Sequence, residues 1–256
     1  MIDRPPMTTF HRPVRTGGVF KSSPPLLAVL ALASLPTGVL GAPPATQRNY
    51  SVTTFDRIRL DGPYEVRLKT NVSPFARASG SQAALDGLSI RTEGRTLVVR
   101  PASGGWSGYP GENRGPVTIE VGTHELGTAW LNGAGSLIID KIKGLSFDLA
   151  IQGAGSTRVE AADIDQLKLG ISGAGSARIS GRAAKMTATV RGTSSLEAEE
   201  LSVKDAVIGA EGPAIVRATV TNAAKVDALG LAAVTLSGKP ACTVNAKGSA
   251  SVTGCK

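Results

Sequence analysis

From Leu131 to the end of the chain, apolar residues stand at every second position, and the alternation restarts after a glycine that returns every 18 to 20 residues. Those glycines are Gly133, Gly153, Gly173, Gly192, Gly212, Gly230 and Gly248. Two residues before them stand Leu131, Ile151, Ile171, Val190, Ala210, Ala228 and Ala246. Further upstream, Leu149, Leu169, Ala188, Ile208, Val226 and Val244 form a second apolar column, and Phe147, Leu167, Met186, Ala206, Ala224 and Cys242 a third. The positions between are mostly polar, as at Lys168, Thr187, Lys225 and Thr243. A spacing of two is the signature of a strand with one buried face, not of a helix.

A period near twenty is too short for a strand plus a packed helix, but it fits one coil of a β-solenoid. The expected fold is therefore all-β: a right-handed parallel β-helix with coils of 18 to 20 residues, regular from about 128 to 255. Each coil should pair with the next at about 4.8 Å. The seven glycines are read as corners needing a positive φ or a close backbone approach. They are not a phosphate loop, which would occur once and open a helix. Nor do they carry the aspartate that calcium-binding solenoids place on each turn; that position holds Ser136, Ser156, Ser176 and Ser195 instead.

Residues 50 to 127 alternate less regularly, through Phe55, Ile58 and Leu60, then Tyr64, Val66 and Leu68, then Val117, Ile119 and Val121. They read as irregular early coils of the same domain, 50–255. Ahead of them, residues 1–41 read as a secretory signal. Arg4, Arg12, Arg15 and Lys21 precede a short apolar run, LLAVLALAS from Leu26 to Ser34, and small residues end at Ala42. The run is too short to span a bilayer, so no transmembrane segment is expected after its removal. Residues 42–49 are read as a linker, and the expected location is the periplasm or the cell exterior.

Export changes the reading of the two cysteines. Cys242 falls in an inward column and Cys255 in an outward one, yet a disulfide is the default in an oxidising compartment, ahead of free thiols or metal binding. It would close the last coil and contribute roughly 3 kcal/mol in the chain-entropy model. The formal charge of +8 is mild and its bases stand singly on outward positions such as Arg158, Arg178 and Arg191. With only 4% aromatic residues, neither nucleic-acid binding nor a base-stacking groove is expected.

Candidate chemistry is sparse. Asp140 and Glu160 fall in one column a coil apart and could form an acid/base pair of a polysaccharide-processing enzyme, although such residues are more often solvated strand ends. His124 beside Glu125 is a turn rather than a metal site, which needs three or four converging ligands. No catalytic residue, cofactor or metal is assigned. Trp106, Tyr109 and Trp130 are the aromatic candidates for contact with a ligand, with packing as a plug over the first regular coil the favoured role for Trp130.

The run FDRIRLDGPYEV from Phe55 to Val66, then Gly94-Arg-Thr-Leu97, then the reiterated Gly-Ala-Gly-Ser together resemble the auto-transporter adhesin head (GIN) domain, DUF2807. The resemblance covers Tyr50 to Cys255. It implies an exported β-helical protein of the bacterial envelope and no catalytic residues. The later coils depart from the pattern, where Gly-x-Gly becomes Gly-Pro-Ala and Gly-Leu-Ala. The functional expectation is a non-catalytic binding or adhesion module for a glycan or an envelope protein. A polysaccharide-processing enzyme and a self-associating structural protein are the alternatives.

Overall fold

The computed structural model describes residues 46–102 and 115–256. Five long winding strands form the regular stack: β9 (Ser136–Gly153), β10 (Ser156–Gly173), β11 (Ser176–Gly192), β12 (Ser195–Glu211) and β13 (Ile215–Gly230). Each pairs in parallel with the next, in register along the stretch that runs up to the corner glycine, so Leu131, Ile151, Ile171, Val190 and Ala210 lie one above another. The seven repeat glycines all have positive φ, from +76° to +108°. The interior is dry and continuous: the ladder Phe147, Leu167, Met186, Ala206, Ala224 stays at or below 4% exposure although its side chains shrink. Burying these columns is the main stabilising term of the stack.

A coil turns twice more between its corner glycines, giving a first face at Ser136–Ile139 and a last face at Ser146–Gly153, with Ile142 and Ile164 buried between. Below the regular stack come β8 (Thr128–Gly133), β2 (Arg57–Asp61) and β6 (Thr96–Pro101) on the last face. β3 (Glu65–Lys69) and β7 (Thr118–Gly122) come on the first. The order is not that of the chain. β2 lies between β6 and β8, and β3 between β7 and β9, all in parallel.

Here the expectation of irregular successive coils is refined. The segment Leu60-Asp-Gly-Pro-Tyr-Glu65 is itself a rung of the repeat, placed under Leu131-Asn-Gly-Ala-Gly-Ser136: Asp61 pairs with Asn132 and Glu65 with Ser136. The Gly62 amide donates to the Asn132 carbonyl at 3.0 Å. The described residues between 70 and 127 form an excursion that closes the end of the stack before the chain returns.

That closure is antiparallel. β4 (Phe75–Gly80) pairs antiparallel with β7, β1 (Thr46–Tyr50) with β4, and β5 (Leu88–Glu93) with β6. Between β4 and β5 the chain makes one short helix, α1 (Gln82–Asp86), capped by the Ser81 hydroxyl, which accepts from the Ala84 amide. It passes from the sheet on one face to the sheet on the other and sends Ala84 and Leu85 into the core. The linker expected at 42–49 is corrected in part. Residues 46–49 belong to β1, because Arg48 and Tyr50 have partners to dock on, with Arg48 bonding the Leu85 carbonyl and the Asp86 carboxylate.

The far end consists of β14 (Ala233–Ser237), β15 (Ala241–Gly248) and β16 (Ser251–Thr253). β15 pairs with β13 and β16 with β14. Among the described residues β15 has no strand on its other side, and Val244, in an inward column, is 44% exposed. The stack is thus closed by α1 and antiparallel strands at one end and open at the other.

Candidate functional site

The two cysteines meet as one disulfide, Cys242–Cys255, with Cα atoms 5.7 Å apart. The conflict of columns vanishes because Cys255 follows β16, beyond Gly254 at φ +93°, where strand alternation has ended. Both cysteines pack against the core at the open end.

Asp140 and Glu160 stand on adjacent coils, between the register pairs Ile139–Val159 and Lys141–Ala161, and the structure gives Asp140 partners of its own. The Asp140 carboxylate accepts from the backbone amides of Thr70 at 3.0 Å and Lys141 at 2.6 Å, so it ties the excursion to the stack. Glu160 is exposed one coil away, and a bulge after Val159 shifts the next rung. Ser180 instead donates to Glu200. His124 is exposed in a turn whose carbonyl accepts from Asn71, while Glu125 approaches Arg95 at 3.5 Å. Among the described residues no cluster of three His, Cys, Asp or Glu converges.

Charged groups elsewhere pair from coil to coil. Arg182 binds Asp163 through two hydrogen bonds, Arg178 binds Glu197, and Arg191 binds Glu211. The Arg182 guanidinium, hydrogen-bonded to Asp163, holds that carboxyl below the usual carboxylate range. These pairs are solvent-exposed and each contributes little. One of them bridges β10 and β11 and two bridge β11 and β12, so they favour register between coils.

Trp106 and Tyr109 lie outside the described residues. Trp130 is not a plug. Its neighbours Ala129 and Leu131 point into the core, so by strand alternation Trp130 faces outward, half-buried on the last face. The plug is Leu85 of α1, fully buried, which sequence reasoning missed because five residues carry no helical period. Trp130 separates two shallow hollows. One, of about 460 Å³, is lined by Arg59, Thr96, Val98 and Asn132 among others. The second, of about 230 Å³, includes Asp148, Lys168, Gly170 and Thr187. Arg59 is paired with Asp61, whose carboxylate also accepts from the Asn132 amide at 2.6 Å. The sequence hid this site because Arg59 and Asn132 are 73 residues apart and become neighbours only through the inserted β2.

Solved structures with this fold exist. The chain is similar to one named a "putative adhesin" from Bacteroides fragilis, with a TM-score of 0.72 and 14% identity over 82% of this chain and 97% of that one. It is similar to a "putative lipid binding protein" from Parabacteroides distasonis, with a TM-score of 0.66 and 18% identity over 83% of this chain and 97% of that one. A "putative adhesin" from Parabacteroides merdae gives a TM-score of 0.61 and 15% identity over 83% and 96%. Identities this low speak to the fold. No curated protein matches the chain. The family model described as "Putative auto-transporter adhesin, head GIN domain" matches residues 54–240, from the inserted first rung through the last complete coil, and the chain therefore belongs to the GIN-domain family, DUF2807.

Proposed function

We propose that this protein is an exported, non-catalytic binding module of the bacterial envelope, of adhesion type. The observation that carries the reading is the in-register stack itself, which holds outward side chains in straight columns over successive coils. Such columns present a flat, rigid surface at no further ordering cost, which favours binding an extended partner. Export is supported by the basic, apolar N-terminal segment and by a disulfide that reducing compartments would not maintain. Among the described residues no helix is long and apolar enough to cross a membrane. Against the polysaccharide-processing alternative, one oxygen of Asp140 accepts from two backbone amides, a structural role for half of the proposed acid/base pair. Affinity capture from native envelope, with mass spectrometry and glycan analysis of the bound fraction, tests the proposal. Recovery of a glycan or surface protein supports it; turnover of a polysaccharide, with nothing retained, overturns it.

The open end favours a second reading, self-association through β15. Eight residues of unpaired edge and a partly exposed Val244 form a template for another strand. Lys239, Lys247 and Lys256 surround it with no acidic residue after Asp227, and lysines at an edge oppose such pairing. Light scattering over a concentration series separates the two, because a strict monomer excludes self-association.

A further inference from the structure

One outward column differs from the others. It runs Arg59, Trp130, Ala150, Gly170, Thr189 and Gly209, each in register with the next. Between the indole and Asp227, which follows Gly209 in the column and accepts from the Asn245 side chain, no side chain is larger than threonine. From Trp130 to Gly209 the column spans roughly 19 Å at the strand spacing of a sheet. It is rimmed on one side by Asp148, Lys168 and Thr187 and on the other by Gln152, Ser172 and Arg191.

The fold does not demand these two glycines. At the corners, a Cβ would collide with the coil below or the φ is positive. At Gly170 neither holds: φ is ordinary and an added Cβ would meet nothing within 4 Å. At Gly209 an added Cβ would meet only the Ala188 carbonyl oxygen, at 3.9 Å. Glycine inside a strand weakens it, so their presence is a cost that folding does not explain. Both occur in the single column headed by the tryptophan.

The chemistry around the strip narrows its occupant. Arg59 is neutralised by Asp61, Glu93 by Arg91, and Asp148 stands beside Lys168, so no net charge calls for an ionic ligand. The rims offer amide, hydroxyl and ammonium groups. The Asp148 carboxylate lines the hollow next to Trp130 and adds an acceptor for a hydroxyl donor to the rim. An outward aromatic side chain beside a bare floor suits the C–H face of a sugar ring, with its hydroxyls turned to polar rims.

We propose that this strip binds a neutral, ribbon-shaped glycan of equatorially linked sugars, with Trp130 as stacking platform and Gly170 and Gly209 as floor. The proposal rests on the reading of the stack as a binding module and names its ligand class and site.

The test is titration of the purified protein with cellohexaose and with chitohexaose, followed by calorimetry and by the indole N–H resonance of Trp130, identified through Trp130→Phe. At least one hexaose is expected to shift that resonance to saturation. Gly170→Val is expected to weaken binding tenfold or more while its unfolding midpoint stays level or rises, and Trp130→Ala to abolish binding. The proposal is overturned if neither hexaose moves the Trp130 signal, if Gly170→Val binds as tightly as the parent, or if phosphatidylglycerol vesicles move the signal and the hexaoses do not. Should Gly170→Val still retain its partner in envelope capture, the strip is excluded while the binding-module reading stands.

Discussion

A Cβ placed on Gly173 would lie 2.7 Å from the carbonyl oxygen of Gly153 in the coil below. That oxygen cannot move aside, because it accepts the Ala174 amide at 2.8 Å. Gly173 also has φ +105°, which L-residues rarely adopt. Gly173→Ala is therefore expected to destabilise the stack by at least about 1–3 kcal/mol. Gly170→Ala, three residues away with open space above it, should leave stability unchanged or raise it by about 0.5–1 kcal/mol. Urea unfolding of the two variants side by side measures the contrast, and equal losses would refute the corner assignment.

Thr157 is 3% exposed in the inward column between Leu137 and Ala177, and its hydroxyl has no partner. The hydroxyl was stripped of water with no bond in return. Thr157→Val keeps the shape and removes that penalty, so a gain of about 1 kcal/mol is expected. A lower melting temperature would show that the hydroxyl has a bonding role.

The Cys242–Cys255 bridge closes a 13-residue separation at the end of the stack formed by β15 and β16. Its removal by reduction is expected to fray β15 and β16, at a local cost of about 3 kcal/mol, while β10 and β11 keep their protection. Hydrogen exchange resolves this by segment. Simultaneous loss throughout the stack would mean the coils unfold as one unit.

At the other end, Arg48 bonds Asp86 at 2.6 Å and the Leu85 carbonyl at 3.0 Å, tying α1 to β1. The hydrogen bond from Arg48 holds the Asp86 carboxyl below its ordinary 3.8. A depressed carboxyl stabilises the fold above that ordinary value and ceases to do so as pH falls through the lower, folded one. Exchange protection of the Leu85 amide is expected to decline in that acid window, modestly because the pair is exposed, and Asp86→Asn should remove the pH dependence. Protection independent of pH in the parent protein would show that the pair does not hold the helix.

The columns through Ile151 and Ile171 were legible because a two-residue period leaves one arrangement that buries them all, repeated often enough to average out exceptions. The excursion from 70 to 127 was not. Nothing local reveals that β2 and β3 slip between strands formed 40 to 70 residues later, although Gly62 heads a run whose pattern matches Leu131 to Ser136. Trp130 misled for a related reason. Its size favours burial, yet parity with Ala129 and Leu131 places it outside, and parity outweighs size once one face of a strand is committed to a core.

Sequence alone determined the coil, its period, its inward ladders and its corner glycines, because each depends on residues at most twenty positions apart. It also placed both cysteines in the final coil. Tertiary structure alone decided which end is closed, that Asp140 accepts from the Thr70 amide, and that Arg59, Trp130 and Gly170 share one surface. Those relationships arise from pairing between distant strands, and the free energy that selects such pairing is distributed over the whole stack rather than written in any one segment.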